Sequence, residues 1–281
     1  MTPPAMLLSS DLDRTLIPND RHLESPQARP RFNTLCQSNE ILLVYVSGRS
    51  QELIRQAIVT YDLPQPDFAI TDVGASMFKC QDLQWQPIVE WSKTHQAFGW
   101  ASQTYQRLRH FDQIEGLHLQ RIENQTAYKV SFFWDLNNQR HVLEEHILRD
   151  LNTLRINANL IWSEDPLSKQ GLLDILPPSA DKHKALQFLG NFLKISEDRM
   201  FFAGDSGNDL AVLTSGIPSV LVANATSELK QEAVEQAKRN QTETRLYLAS
   251  GTFEDTNGNY AAGVLEGFYH FFPQLYKECM L

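Results

Sequence analysis

Hydrophobic positions along the chain change rhythm twice. Residues 6–10 and 41–46 are apolar or small throughout, which predicts strands buried on both faces, as in a parallel sheet. A modest helix is predicted over 31–38. Leu53, Ile54, Ala57 and Ile58 recur at helical spacing, with Ser50 as the N-cap of the helix they predict. A third strand is predicted over 67–71, running into Asp72-Val73-Gly74-Ala75. The first 80 residues therefore read β-α-β-α-β, the order of a parallel sheet with crossover helices.

The rhythm then breaks. A Gln-rich stretch over 91–111 predicts one long helix. Strands follow over 117–122 and 127–134, a helix over 138–154, and strands over 159–163 and 171–176. This α-β-β-α-β-β order suits a small antiparallel sheet covered by helices on one side. The first rhythm resumes with Ala185, Leu186, Leu189, Phe192 and Leu193 on a helix. Strands over 199–203, 219–223 and 245–249, a polar helix over 227–239 and a closing helix over 261–272 complete it. The fold class expected is α/β: a Rossmann-like parallel-sheet core from residues 1–85 and 174–281, carrying an inserted α+β domain at 86–173. Trp and Phe positions on the helices are expected in the core.

Composition narrows the function more than the fold. A hydrophobic fraction of 42% with 21% charged residues is ordinary for a globular protein with a real core. The formal charge of −9 argues against a nucleic-acid or anionic-membrane surface, and means that an anionic substrate needs local cations. Three scattered cysteines, Cys36, Cys80 and Cys279, form no metal or disulfide framework. No apolar run reaches membrane length, and no basic-then-apolar leader opens the sequence, so a cytoplasmic enzyme is expected.

The chemistry gathers at predicted strand ends. The strand over 6–10 stops on Asp11 and Asp13, whose side chains point the same way on an extended chain. An isolated Asp-x-Asp also serves as a turn former, so its company decides. Ser47-Gly48-Arg49 follows the second strand, Lys182 and Lys184 open the helix after the insertion, and Gly204-Asp205-Ser206-Gly207-Asn208-Asp209 ends a later strand. Parallel strands bring all these ends to one edge, where α/β sheets bind ligands. Three acids suit a hard divalent cation such as Mg²⁺ through oxygen. A hydroxyl, backbone N–H groups and one ammonium suit the oxygens of a phosphate.

Together, in this order, Asp11-Leu12-Asp13-Arg14-Thr15, Ser47-Gly48-Arg49, Lys182 and the stretch from Gly204 to Asp209 resemble the haloacid dehalogenase superfamily, in the subfamily with an α/β cap of the second type. Ile70 to Ala75, Tyr128-Lys129-Val130-Ser131, Asp174-Ile175-Leu176-Pro177 and Ala261-Ala262-Gly263-Val264-Leu265-Glu266 resemble the sucrose-6-phosphate phosphatases. The resemblance implies a Mg²⁺-dependent phosphatase with Asp11 as nucleophile and Asp13 as acid and base. Metal ligation falls to Asp11, Asp13 (through its carbonyl), Asp205 and Asp209. Ser47, Gly48, Lys182 and Asn208 would bind phosphate, and Arg49 and Lys129 the substrate. Sucrose 6-phosphate is the substrate this implies, with glucosylglycerol phosphate, mannosyl-3-phosphoglycerate, a phosphomannomutase reaction or a silent sensor as alternatives. Lys129, Asp135, Glu164, Asp165 and Lys169 are the candidates for reading the sugar. Two departures stand out: His183 where the family has Gly after the lysine, and Arg14, expected at the rim, where it often has Gly or Asn. The partner expected is a small sugar phosphate, without nucleic acid or membrane. The oligomeric state stays open and is compatible with a monomer.

Overall fold

The computed structural model describes residues 6–81, 84–101, 104–165 and 170–280. Among the described residues twelve strands form two sheets. The larger is ordered β12-β11-β10-β1-β2-β3-β4-β5, from β1 (Met6–Ser10), β2 (Ile41–Val46), β3 (Phe68–Thr71), β4 (Ser76–Gln81), β5 (Gln84–Pro87), β10 (Met200–Gly204), β11 (Ser219–Leu221) and β12 (Leu246–Leu248). Its six strands from β12 to β3 are parallel, whereas β4 and β5 add antiparallel at one edge. That β4–β5 hairpin was not foreseen from the sequence. Its buried residues, Met77 and Trp85, are single positions among half-buried and exposed ones, so they make no continuous apolar run.

Helices cover both faces of this sheet because its central strands are apolar on both. Leu8, Leu43 and Ala203 face one side, against α1 (Ala28–Cys36), α2 (Gln51–Tyr61) and α9 (Ala261–Phe271). Leu7, Val44 and Phe202 face the other. There they meet Trp91 of α3 (Val89–Gln96), α6 (Lys182–Leu193), α7 (Leu210–Leu213) and α8 (Ser227–Asn240). A last helix, α10 (Pro273–Cys279), follows α9 across a break at Phe272.

The second sheet is antiparallel, ordered β6-β7-β9-β8, from β6 (Leu117–Leu119), β7 (Val130–Trp134), β8 (Asn159–Asp165) and β9 (Gln170–Leu176). Phe132, Leu173 and Ile175 pack on Leu143, Ile147 and Leu151 of α5 (Arg140–Thr153). The long helix expected over 91–111 is broken: α3 stops at Gln96, and Gly99 turns the chain with φ +81°. α4 (Thr104–Leu108) and a 3₁₀ turn, Arg109–Gln113, follow. Strand β5 stays in the first sheet to Pro87 and β9 in the second to Leu176. Among the described residues no helix is long and apolar enough to cross a membrane.

Candidate active site

Strands β1, β2 and β10 are neighbours and end at the same edge. Asp11 follows β1, Ser47 follows β2 and Asp205 follows β10, so residues some 190 positions apart come together through strand pairing: the Thr15 hydroxyl donates to Asp205 Oδ1 at 3.0 Å. Lys182 enters from the first turn of α6. That helix start is fixed by Asp181, whose side chain accepts from the Lys184 N–H at 2.7 Å.

Lys182 is 1% exposed. Its Nζ lies 3.1 Å from Asp11 Oδ2 and 2.7 Å from Asp209 Oδ1. Burial works against the ammonium charge, but Asp11 and Asp209 outweigh it and hold the lysine protonated well beyond its ordinary range. Carboxylate oxygens of Asp11, Asp205 and Asp209 lie within 4.8 Å of one another. Burial first, and then its acidic neighbours against the pull of Lys182, push Asp11 well above the usual carboxylate range. Asp205 is pushed up to about 7, again by burial first and then by Asp209. Like charges this close resist ionisation unless a cation sits among them. The donor set is all oxygen, which fits a hard divalent ion.

Asp209 organises the loop as well. Its Oδ2 accepts from the backbone N–H groups of Asp205 and Ser206 and from the Ser206 hydroxyl, each at 3.1 Å, closing a capping box. A Cβ on Gly204 would stand 2.6 Å from Asp209 Cγ, so only glycine lets that carboxylate fold back.

Asp13 points elsewhere. Arg49 grips it through Nε and Nη2, and the Asn19 amide donates at 2.6 Å. Burial favours the neutral acid, yet Arg49 and Asn19 prevail and keep its pKa below the ordinary value. Its carboxylate is not part of the Asp11–Asp205–Asp209 cluster. Ser47 is fully buried, and its Oγ accepts from the Arg49 N–H at 3.2 Å. Asn208 is exposed and accepts from the Ser206 hydroxyl.

The other candidates scatter. Lys129 is 5% exposed and sends its ammonium to the Gly48 carbonyl at 2.8 Å, beside Asp72. Asp135 is an exposed turn residue that accepts from the Asn137 N–H. Lys169 and the side chains of Glu164 and Asp165 lie outside the described residues. Ser50 holds the N-cap position of α2 but makes no capping bond, and its Oγ has no hydrogen-bond partner among the described residues. Lys184 is exposed and pairs with Asp181. His183 is half-buried, with the charges of Asp181, Glu197 and Lys184 around it rather than those of the acid cluster.

Two contacts were not anticipated. Arg14, at φ +58°, is not merely at the rim: its Nε reaches Asp205 Oδ2 at 3.2 Å. Asp72 is 1% exposed beneath Lys129. Its placement directly after β3 was the available signal, since strand ends at this edge carry the other polar groups.

The sucrose-6F-phosphate phosphohydrolase profile matches residues 4–272. A HAD-like hydrolase of Nitrosococcus oceani is 45% identical over 275 residues, which cover 96% of this chain and 72% of that protein. Mannosylfructose-phosphate phosphatase of Agrobacterium fabrum is 29% identical over 269 residues, covering 95% and 97%. The chain spans about half the length of the plant sucrose-phosphatases it matches, 54% for one from Nicotiana tabacum. Among solved structures, the sucrose-phosphatase of Synechocystis in complex with sucrose and phosphate superposes with a TM-score of 0.71 at 24% identity, covering 95% of this chain and 97% of that one. That likeness establishes a shared fold.

Proposed function

The chain belongs to the sucrose-6F-phosphate phosphohydrolase family of the haloacid dehalogenase superfamily, and on that footing we propose that it hydrolyses sucrose 6-phosphate to sucrose and phosphate. It is a phosphoric monoester hydrolase of the sugar-phosphate class. The phosphoryl chemistry of this reading rests above all on the buried ammonium of Lys182, set between Asp11 and Asp209 with Asp205 beside them, and the choice of sugar on the family match.

Asp11 is the nucleophile of this reading. Its carboxylate oxygen attacks phosphorus, the bond from phosphorus to the sugar oxygen breaks, and Asp13, ionised while Arg49 holds it and protonated from solvent once released, gives that oxygen a proton. Water then attacks the phosphorus of the aspartyl-phosphate, Asp13 takes its proton, and phosphate leaves with the carboxylate restored. Lys182, the Ser47 hydroxyl, the Gly48 N–H and Asn208 hold phosphoryl oxygens. Asp11, Asp205 and Asp209 would hold Mg²⁺, with the Asp13 carbonyl as a further ligand. The ion supplies charge neutralisation at the phosphoryl group.

Arg49 ties Asp13 down through two hydrogen bonds. A phosphate offers a guanidinium the same bidentate geometry as a carboxylate, so a bound phosphate ester competes for Arg49 and frees Asp13 to act. The second sheet, within the inserted domain expected at 86–173, serves as a cap over the core and encloses the sugar.

The test is phosphate release from a panel that includes sucrose 6-phosphate, mannosylfructose phosphate and glucosylglycerol phosphate, with Mg²⁺ and with excess chelator. Sucrose 6-phosphate should give the highest kcat/KM, and Asp11→Asn should abolish release. Preference for another disaccharide phosphate would replace the substrate while keeping the chemistry. Isomerisation without phosphate release would make it a mutase.

A further inference from the structure

Lys129 stands just before β7 in the second sheet, yet its ammonium makes its contacts in the first. It donates to the Gly48 carbonyl oxygen at 2.8 Å and lies 3.6 Å from Asp72 Oδ1. That Gly48 carbonyl belongs to the same peptide unit as the Arg49 N–H. A trans peptide is planar, and its C=O and N–H point in opposite directions. At the far side of this unit the Arg49 N–H donates to Ser47 Oγ at 3.2 Å. One continuous chain of donors and acceptors thus runs from a lysine on the second sheet, through one peptide plane, to the hydroxyl at the end of β2. Such chains polarise cooperatively. A hydroxyl that already accepts a bond keeps its single proton to donate outward.

The turn beneath Lys129 is built for this contact. Asp72, Val73 and Gly74 have φ of +57°, +57° and +96°. A left-handed β-branched residue persists only where its surroundings dictate it. Here the Asp72 N–H is tied to the Arg49 carbonyl at 3.0 Å and the Val73 N–H to the Ser47 carbonyl at 3.1 Å. The same residues thereby grip the Ser47–Arg49 turn from below and hold the Asp72 carboxylate under the ammonium. Asp72 Oδ2 accepts from the Thr71 hydroxyl, and Oδ1, buried and with no hydrogen-bond partner among the described residues, faces Lys129 at 3.6 Å.

We propose that Lys129, steadied by Asp72, is a positioning residue for phosphate: its bond to the Gly48 carbonyl sets the Gly48–Arg49 peptide so that Ser47 offers its proton to a phosphoryl oxygen. Because Lys129 and Ser47 sit on different sheets, the grip on phosphate is complete only when the two sheets are apposed. The inference rests on the phosphate-binding role given to Ser47 above. It differs from a role for Lys129 in reading sugar hydroxyls, since it makes the lysine matter to ligands that have none.

Inorganic phosphate binding to the Mg²⁺-loaded full chain, measured by calorimetry, decides between the two. Turnover of sucrose 6-phosphate and of p-nitrophenyl phosphate, which carries no sugar, is measured alongside. Lys129→Met should weaken phosphate binding about tenfold, the size of one charge-assisted hydrogen bond. It should lower kcat/KM by a similar factor for both esters, and Lys129→Arg should restore most of the loss. Asp72→Asn should move phosphate binding the same way by a smaller factor, and carries the measurement if Lys129→Met does not fold. Phosphate affinity unchanged within twofold in the folded variants, with loss confined to the sugar ester, would overturn the proposal and make Lys129 a sugar reader. Should the wild type release no phosphate from any sugar ester, the substrate reading falls. The phosphate affinities of the variants would still decide this one.

Discussion

Arg49 meets Asp13 as a fork meeting a fork, Nε to Oδ2 at 2.7 Å and Nη2 to Oδ1 at 2.6 Å. An acid held this way cannot hand on a proton until the guanidinium finds another partner. Arg49→Met should therefore raise KM, by losing the phosphate contact, and lower kcat/KM by about ten- to a hundredfold, the range of one to two charge-assisted bonds. Arg49→Lys should recover only part, because an ammonium cannot make both bonds at once. Steady-state kinetics with each variant check this, and an unaltered KM would count against it.

Lys182 is the counter-charge of a buried acid cluster. Lys182→Met should cost about 3–5 kcal/mol of stability, the usual penalty for removing one partner of a buried ion pair. Activity should be lost with it. Denaturant unfolding reads the first effect. Added Mg²⁺ should return part of the stability, since a cation replaces some of the missing charge.

Thermal unfolding should show a divalent ion stabilising the wild type, by about 2.7 kcal/mol at a hundredfold excess over Kd. Asp205→Asn should remove most of that effect. Arg14 competes for the same carboxylate at 3.2 Å, so Arg14→Asn should tighten apparent metal affinity several-fold. Titration of the metal-free protein followed by unfolding temperature tests both, and weaker binding in Arg14→Asn would show that the arginine assists the ion.

His95 is fully buried between the Ala75 carbonyl, 2.8 Å from Nε2, and the Ser179 hydroxyl, 2.7 Å from Nδ1. Burial lowers its pKa below the ordinary 6.5, with the Ala75 bond opposing. The unfolded chain then binds the proton more readily than the folded one, so stability rises with pH. The contribution is fully present above about 6.5 and lost as pH falls below it. His183 is shifted the same way. His95→Gln should therefore flatten, without abolishing, the decline in stability between about pH 7 and 5, measured with Mg²⁺ present.

Two glycines at the site should respond oppositely to alanine. A Cβ on Gly48 meets only Val73 Cγ2, at an ordinary 3.7 Å, and Gly48→Ala should fold and retain activity within severalfold. Gly74 has φ +96°, and its Cβ would stand 2.5 Å from the Asp181 backbone. Gly74→Ala should cost about 1–3 kcal/mol in backbone conformation alone. It should also displace the start of α6 and with it Lys182, seen as a lower unfolding temperature and a fallen kcat.

The central sheet was readable because burial on both faces leaves unbroken apolar runs. Strands β1 and β2 lie where those runs lie, 6–10 and 41–46. Asp11 and Asp205 were readable because β1 and β10 end directly before them. The β4–β5 edge was hidden by its mixed pattern, and the break at Gly99 by a Gln-rich composition that continues past it. What the sequence could not convey were contacts made by folding alone: Arg14 on Asp205, and Lys129 across to Gly48. Both are long side chains whose reach depends on where two distant backbones come to rest.

The pairing of β1 with β10, Leu7 beside Met200, carries a consequence for how the molecule is made. Nearly two hundred residues must leave the ribosome before the first strand gains its second neighbour. Until then an apolar strand shows a free margin, which is the kind of template that recruits other chains. The β6–β9 sheet lies wholly within that interval and pairs only with itself, so it can form while β1 waits. Nascent chains halted before Met200 should therefore be the aggregation-prone ones, and release beyond Gly204 should be what makes the protein soluble in synthesis.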